Sequence, residues 1–315
     1  MRILVTGGAG FIGSSFVRYT KRMYGNQHQL TILDKLTYAA NVKNLDELLA
    51  DNEVNFFKID ICDIELVFKV IQDFDLVVNF AAETHVDRSI KSSKIFLESN
   101  IVGSSNIALS CIDKKIPLIH ISTDEVYGSI SNGSWGENFP LMPNSPYSAS
   151  KAGSDLLLLS YMTTHGLQVK ITRCCNNYGP YQNPEKLIPL FITNIIQDKH
   201  LPVYGNGRNI REWIHVDDHC KAIWSVIDHG ENGQIYNVGT NYELQNIEVA
   251  QKILNIMGRD ESYLRFVEDR PGHDYRYSVN TDKIRKLGFI PEIEFDSGLA
   301  DTVDWYKSNP EMWTK

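Results

Sequence analysis

Two short stretches of the sequence hold side chains able to move protons. "STDEVYG" (122–128) sets Asp124 and Glu125 side by side just past an apolar run, 116–121, broken only by Pro117 and His120. Neighbouring carboxylates repel, and burying either one costs several kcal/mol unless it is paired or protonated. Surroundings that keep one protonated and the other ionised turn such a pair into an acid and a base. "SPYSASK" (145–151) sets Tyr147 and Lys151 four residues apart, with Pro146 near a helix start, so both side chains share one helical face. A phenol with a reference pKa of about 10 is a poor base at neutral pH. An ammonium beside it favours the phenolate and lowers that pKa. Ser122 and Thr123 add hydroxyls at the end of the strand before.

A third stretch says what the tyrosine would work with. "VTGGAGFIG" (5–13) spaces Gly7, Gly10 and Gly13 three residues apart, between a strand and a helix. In such a turn Gly7 allows the tight bend, Gly10 lets a pyrophosphate approach the backbone, and Gly13 lets helix and strand pack closely. The helix start, with Phe11 and Ile12, offers free amides to the phosphates. Asp34 ends the next strand about 20 residues on, where an acid hydrogen-bonds the adenosine ribose and repels a 2′-phosphate. The expected cofactor is therefore NAD; Lys35, the next residue, pulls slightly toward NADP. Asp60 and Ile61, closing the third strand, are candidates for the adenine edge. With NAD in place, Tyr147 would take a proton from a substrate hydroxyl while the carbon below it gives up hydride.

These side chains need a frame. Apolar strand-like runs at 2–7, 30–34, 54–60, 76–81, 117–123 and 169–173 alternate with helix-like stretches at 11–24, 64–72, 93–112 and 147–164. Strands this continuously apolar suit a parallel sheet covered on both faces, and the alternation argues for an α/β, doubly wound sheet of the Rossmann kind. After residue 175 the texture changes to a long irregular segment, a helix at 187–198, a strand at 235–239, an amphipathic helix at 247–258 and a last helix in the tail. The expected division is a cofactor-binding domain, 1–175 plus about 206–243, and a smaller interleaved substrate domain, about 176–205 plus 244–315. The 315 residues are 43% hydrophobic and 22% charged, with a formal net charge of −8 and no basic face, so nucleic acid and anionic membrane are poor partners. The five cysteines have no metal-pair spacing and suit reduced core thiols and a cytoplasmic location. No apolar run approaches the ~20 residues of a membrane helix.

Together, Gly7, Gly10, Gly13, Asp34, Thr123, Tyr147 and Lys151 make the chain resemble the extended short-chain dehydrogenase/reductases that act on nucleotide sugars, over essentially its whole length. The three-residue glycine spacing is that family's form. "TDEVYG", "AAETHVDRS" (81–89), "NNYGPYQNPEKLIP" (176–189), "GNGRNIREWIHVDDH" (205–219) and "DRPGHDYRY" (269–277) are similar to the 4,6-dehydratase branch acting on dTDP-glucose. The related epimerases usually have small residues where this chain has Asp124 and Glu125.

The resemblance implies an NAD-dependent lyase. Oxidation at glucose C4 makes the C5 proton acidic; Glu125 would be the base at C5, Asp124 the acid at the C6 hydroxyl, and hydride returns to C6. It implies that Thr123 contacts the C4 hydroxyl beside Tyr147 and Lys151, that Ala81 joins the cofactor set, and that Thr84, Asn176, Lys186 and Leu187 hold the sugar and diphosphate. Arg211, Asn246, Arg270 and His273 would hold the nucleotide. His85 and Asp87 are expected to organise the cofactor side or a loop. A homodimer through helices 93–112 and 147–164 is expected on the same ground. Ala40 departs from the family's glycine near the adenosine side. The alternatives are the same reaction on UDP-glucose or CDP-glucose, a 4-epimerase, or a relative that binds without catalysis; the first two differ by product and the last by whether any product forms. The sequence indicates no metal.

Overall fold

The computed structural model describes residues 1–51 and 53–314; Lys315, the end of the expected substrate domain, and Asn52 lie outside the described residues. Twelve strands are found among them: β1 (Arg2–Thr6), β2 (Gln29–Asp34), β3 (Val54–Lys58), β4 (Leu76–Asn79), β5 (Leu118–Thr123), β6 (Val169–Cys174), β7 (Asn176–Tyr178), β8 (Leu201–Tyr204), β9 (Ile210–His215), β10 (Ile235–Val238), β11 (Glu243–Gln245) and β12 (Leu264–Val267). Seven form one all-parallel sheet in the order β10-β6-β5-β4-β1-β2-β3. The doubly wound parallel sheet is thus as the sequence indicates.

Both faces of this sheet are covered. Ile3 and Val5 of β1 pack with Phe16 and Val17 of the helix Phe11–Tyr24 and with the helix Val216–His229 on one face. Leu4 between them packs with Val67, Ile107 and Leu158 from helices on the other. Burying such a side chain fully contributes about 1.5–3 kcal/mol, so the unbroken apolar runs stabilise a sheet whose central strands have no wet face, while the edge strand β3 is partly exposed. A second core joins the helices Leu187–Ile196, Asn246–Ile256 and Phe295–Ser308 with β8, Tyr178 and Trp213. Two small sheets, β11-β9-β7 and β12-β8, lie in this later part of the chain.

Two readings from sequence need revision. The 176–189 segment is not wholly irregular: Asn176–Tyr178 pairs in parallel with Trp213–His215. The run Lys94–Lys114 is one continuous 21-residue helix with a mean hydropathy of 1.3 in its most apolar window, which meets the length and composition of a membrane span. Its buried residues, Phe96, Ser99, Asn100, Gly103, Ile107 and Cys111, face the body of the protein, as in a core helix.

Candidate active site

The C-terminal ends of β1, β2, β4, β5 and β6 open on one cleft, the place where open parallel sheets take ligands. Gly7 has a φ of 68°, and a Cβ there would come within 2.5 Å of the Ala81 nitrogen. A Cβ on Gly13 would strike the Gly7 carbonyl oxygen. Phe11, Ile12 and Gly13 begin their helix at the cleft wall, where the first amides of a helix have no partner in the helix itself. Asp34 ends β2 with its carboxylate accepting from Ala9 N at 3.0 Å and Leu36 N at 2.8 Å. The Lys35 ammonium lies 3.0 Å from Asp60, so the cation beside Asp34 is already paired. Ala40 closes a backbone hydrogen bond to Thr37 at 3.1 Å without a positive φ, so that turn does not require the family's glycine. A glycine cradle, a helix start and an acid closing β2 at the cleft fit a dinucleotide; Ile61 and Ala81 line the same wall.

Thr123 ends β5, and its hydroxyl starts the helical turn Asp124–Tyr127 by accepting from Glu125 N at 3.2 Å. The same hydroxyl donates to Asp124 Oδ1 at 3.2 Å, while Asp124 Oδ2 is buried without a partner. Val126 and Tyr127 anchor the turn against Ala152 and Val279. The two acids face different surroundings. Burial, reinforced by the charges of Glu125, Cys174 and Glu212, pushes Asp124 well above the usual carboxylate range. Burial raises Glu125 too, but Arg270, Lys186 and Arg211 all act to keep it ionised.

Tyr147 opens the helix Pro146–His165, which a reciprocal Ser145–Ser148 capping box and Pro146 start cleanly. Its backbone N–H donates to Ser89 Oγ at 3.1 Å. Burial and the Glu125 charge push the phenol up, while the Thr84 and Thr123 hydroxyls act the other way. The expected depression by Lys151 is not seen. Both residues share the helical face, but the Lys151 ammonium donates to the Ile121 carbonyl at 2.8 Å, and burial holds it down to about 8.

Of the remaining sites read from sequence, Thr84, Asn176 and Lys186 line the cleft; Leu187, Arg211, Asn246, Arg270 and His273 are not on its wall. Lys186 Nζ donates to the Thr84 carbonyl at 3.0 Å. Leu187 begins the helix that follows. Arg211 is buried over the Tyr277 ring, 4.3 Å from its centre, and donates to the Asp274 carbonyl at 2.9 Å. Arg270 pairs with Asp87 at 3.4 Å, and Asp87 also accepts from Tyr204 at 3.1 Å, so Asp87 ties the segment after β12 to the end of β8. His85 lines the cleft beside Glu185, at 3.6 Å. His273 sits 2.6 Å from Asp269, yet burial and the charges of Arg270 and Arg211 hold it down to about 4. Asn176 Oδ1, Asn246 Oδ1 and Arg270 Nε are buried without partners.

Several residues were not singled out from sequence. Asn100 sits in a π-helical stretch, Leu97–Gly103, and bonds Glu83 N, the Glu83 carbonyl and Ser150, tying the loop after β4 to the Tyr147 helix. Asn177 bridges the Cys174 sulfur, at 3.3 Å, and His219, at 2.8 Å. The Glu212 carboxylate accepts from Thr240 N at 2.6 Å and Asn241 N at 2.7 Å. The available signal was a polar residue inside an apolar element, which must find a buried partner.

A family model described as GDP-mannose 4,6 dehydratase matches residues 4–302. A dTDP-glucose 4,6-dehydratase of Streptomyces niveus is 52% identical over 318 residues, covering 99% of this chain and 95% of that protein. One from an Actinoplanes species is 49% identical over 322 residues, covering 100% of both. Among solved structures, the dTDP-glucose 4,6-dehydratase DesIV of Streptomyces venezuelae, with NAD and TYD bound, superposes with a TM-score of 0.97 at 51% identity over 99% of each chain.

Proposed function

The chain belongs to the GDP-mannose 4,6 dehydratase family, and we propose that it dehydrates a nucleoside-diphosphate glucose, dTDP-glucose, to the 4-keto-6-deoxy sugar nucleotide. It is a hydro-lyase that uses NAD without net consumption. The observation that carries the assignment of roles is the unequal setting of two adjacent buried carboxyls: burial raises both, but negative neighbours add to the rise at Asp124, while Arg270, Lys186 and Arg211 offset it at Glu125.

Tyr147, with Thr123 beside it, takes the proton of the C4 hydroxyl. NAD, which Gly7, Gly10, Gly13 and Asp34 would hold, would supply the acceptor for the C4 hydride and, once reduced, the hydride for C6. Glu125, whose ionised form three cations favour against the effect of burial, removes the C5 proton made acidic by the new C4 carbonyl. Asp124, held protonated, gives its proton to the C6 hydroxyl as water leaves. Glu125 then returns its proton to C5. Tyr147 ends each turnover one proton richer and Asp124 one poorer, so a proton must pass back to Asp124 before the next.

Thr84, Asn176, Lys186 and Leu187 would hold the sugar and diphosphate, and Arg211, Asn246, Arg270 and His273 the nucleotide. The unpartnered buried atoms on Asn176, Asn246 and Arg270 support this reading, since a buried polar group needs a partner, which a bound ligand or an ordered water can supply. The separate hydrophobic cores support a cofactor-binding part and a nucleotide-sugar-binding part. A homodimer through the helices 93–112 and 147–164 belongs to the same proposal. Ile95, Leu97, Val102 and Leu156, all exposed, support it. A cytoplasmic location and a place in deoxysugar synthesis, rhamnose included, complete it.

The experiment is incubation of the purified protein with dTDP-, UDP- and CDP-glucose, with products read by mass. Loss of one water from the dTDP sugar alone is expected. Loss from another sugar reassigns the base, and an intact hexose of changed stereochemistry overturns the dehydratase in favour of an epimerase.

A further inference from the structure

Next to Lys151 lies a sealed group of polar side chains that the mechanism above does not use. Asn79, His120, Ser154 and Asp155 are all at most 1% exposed, and none lines the cleft. The Asn79 amide is oriented by a group that can only donate. The Ala81 N–H reaches Asn79 Oδ1 at 3.2 Å, and the Thr6 hydroxyl reaches the same oxygen at 2.6 Å. Asn79 therefore presents Nδ2, a donor, to His120 Nδ1 at 3.1 Å, and that ring nitrogen must be bare. Neutral His120 then carries its proton on Nε2.

Two acceptors suit that N–H. Ser154 Oγ is 3.2 Å away, with its own hydrogen given to the Lys151 carbonyl at 2.8 Å. Asp155 Oδ1 is 3.7 Å away, without a hydrogen-bond partner. Lys151 Nζ lies 3.4 Å from the same Nε2, a donor facing a donor. The charged groups around the ring are Lys151 and Asp155, and Arg173 takes the other Asp155 oxygen at 2.9 Å. Burial and the Lys151 charge hold His120 well below the ordinary histidine range, which keeps the imidazolium form away. Within this group Lys151 has one clear acceptor, the Ile121 carbonyl at 2.8 Å.

We propose that Asn79 and His120 are positioning residues: by locking His120 in its Nε2–H form, they deny Lys151 a second acceptor inside the protein and turn its remaining hydrogens to the cleft, toward Tyr147 and the cofactor. The benefit to catalysis rests on the proposed function and on the Lys151 ammonium favouring the Tyr147 phenolate once substrate and cofactor are bound; the tautomer does not.

Long-range nitrogen–proton NMR of the labelled holoenzyme reads the tautomer directly, with the His120 signals identified by their loss in His120→Gln. The expected result is a bare Nδ1 and a protonated Nε2 throughout the range in which a free histidine titrates. An Nδ1–H tautomer or an imidazolium overturns the proposal. His120→Gln offers Lys151 an amide oxygen, and Asn79→Asp offers His120 Nδ1 an acceptor that should flip the ring to Nδ1–H. In both variants an internal acceptor favours the ammonium. The basic limb of the pH profile for water loss should move to higher pH, and the plateau rate should fall on the order of 10-fold or more. A tautomer as stated with an unmoved limb and rate in His120→Gln overturns the positioning role. A wild-type protein inert toward every sugar tested counts instead against the functional reading, and the NMR result stands apart from it.

Discussion

Asp124 and Glu125 are neighbours in the chain, but the charges that reach them come from different elements. Lys186 at a helix start, Arg211 on β9 and Arg270 after β12 favour ionised Glu125, while at Asp124 the charges of Glu125, Cys174 and Glu212 add to burial, with Arg211 working the other way. The proton chemistry of the pair was legible in "STDEVYG"; the field that separates them was not, because it is assembled from residues far apart in sequence. Glu125→Gln should slow water loss by roughly 100- to 10,000-fold and abolish exchange of the C5 proton with solvent, as read by mass in deuterated buffer. Unaltered exchange would remove Glu125 as the base. A second expectation concerns Glu212, whose carboxyl burial raises from 4.5 to about 7. Between those values the folded chain holds a proton that the unfolded chain has lost. Its contribution to stability is therefore full below pH 4.5 and falls as the pH rises to about 7. In urea titrations across that window, Glu212→Gln should lose stability with rising pH less steeply than the parent; parallel curves would contradict the raised carboxyl.

The elements of the large sheet could be read from sequence because their strands are apolar on both sides and their helices alternate with them. The helix Phe11–Tyr24 and the strands β1 and β2 fall within a residue of their expected bounds. The helix Val216–His229 was missed: β9 runs into it with no Gly or Pro between, and His215 caps it by accepting from Asp217 N at 3.2 Å. The strands β7, β8, β11 and β12 are three or four residues long, too short to show a period. The start of the Tyr147 helix was visible as Pro146, and its Ser145–Ser148 box makes a prediction. Ser145→Ala should cost about 1 kcal/mol in chemical denaturation and lower the rate through a less fixed Tyr147. At the cradle, Gly13→Ala sets a methyl against the Gly7 oxygen, and the purified variant should have lost its NAD absorbance. Full retention of NAD would mean that the helix can shift without opening the cradle.

At the scale of the molecule, the sheet supplies the cofactor wall and the Thr123 turn, and the later part of the chain supplies the cations opposite them. That two-sided build is why motifs could point to cleft residues such as Thr84, Asn176 and Lys186 but not to the shape around them: Arg211 and Arg270 meet Glu125's surroundings only after β9 and the post-β12 segment fold back. The exposed Leu156, 57% accessible on the Tyr147 helix, gives the dimer a direct test. Leu156→Asp should shift the sedimentation mass from dimer to monomer, and a parent that is already monomeric would end that part of the proposal. Deuterium at C4 of dTDP-glucose follows the internal hydride loop and its coupling to water loss atom by atom. The expected product is one water lighter than the substrate, with the deuterium at C6 of the same molecule; deuterium lost to solvent, or still at C4 of an intact hexose, would contradict the proposed cycle.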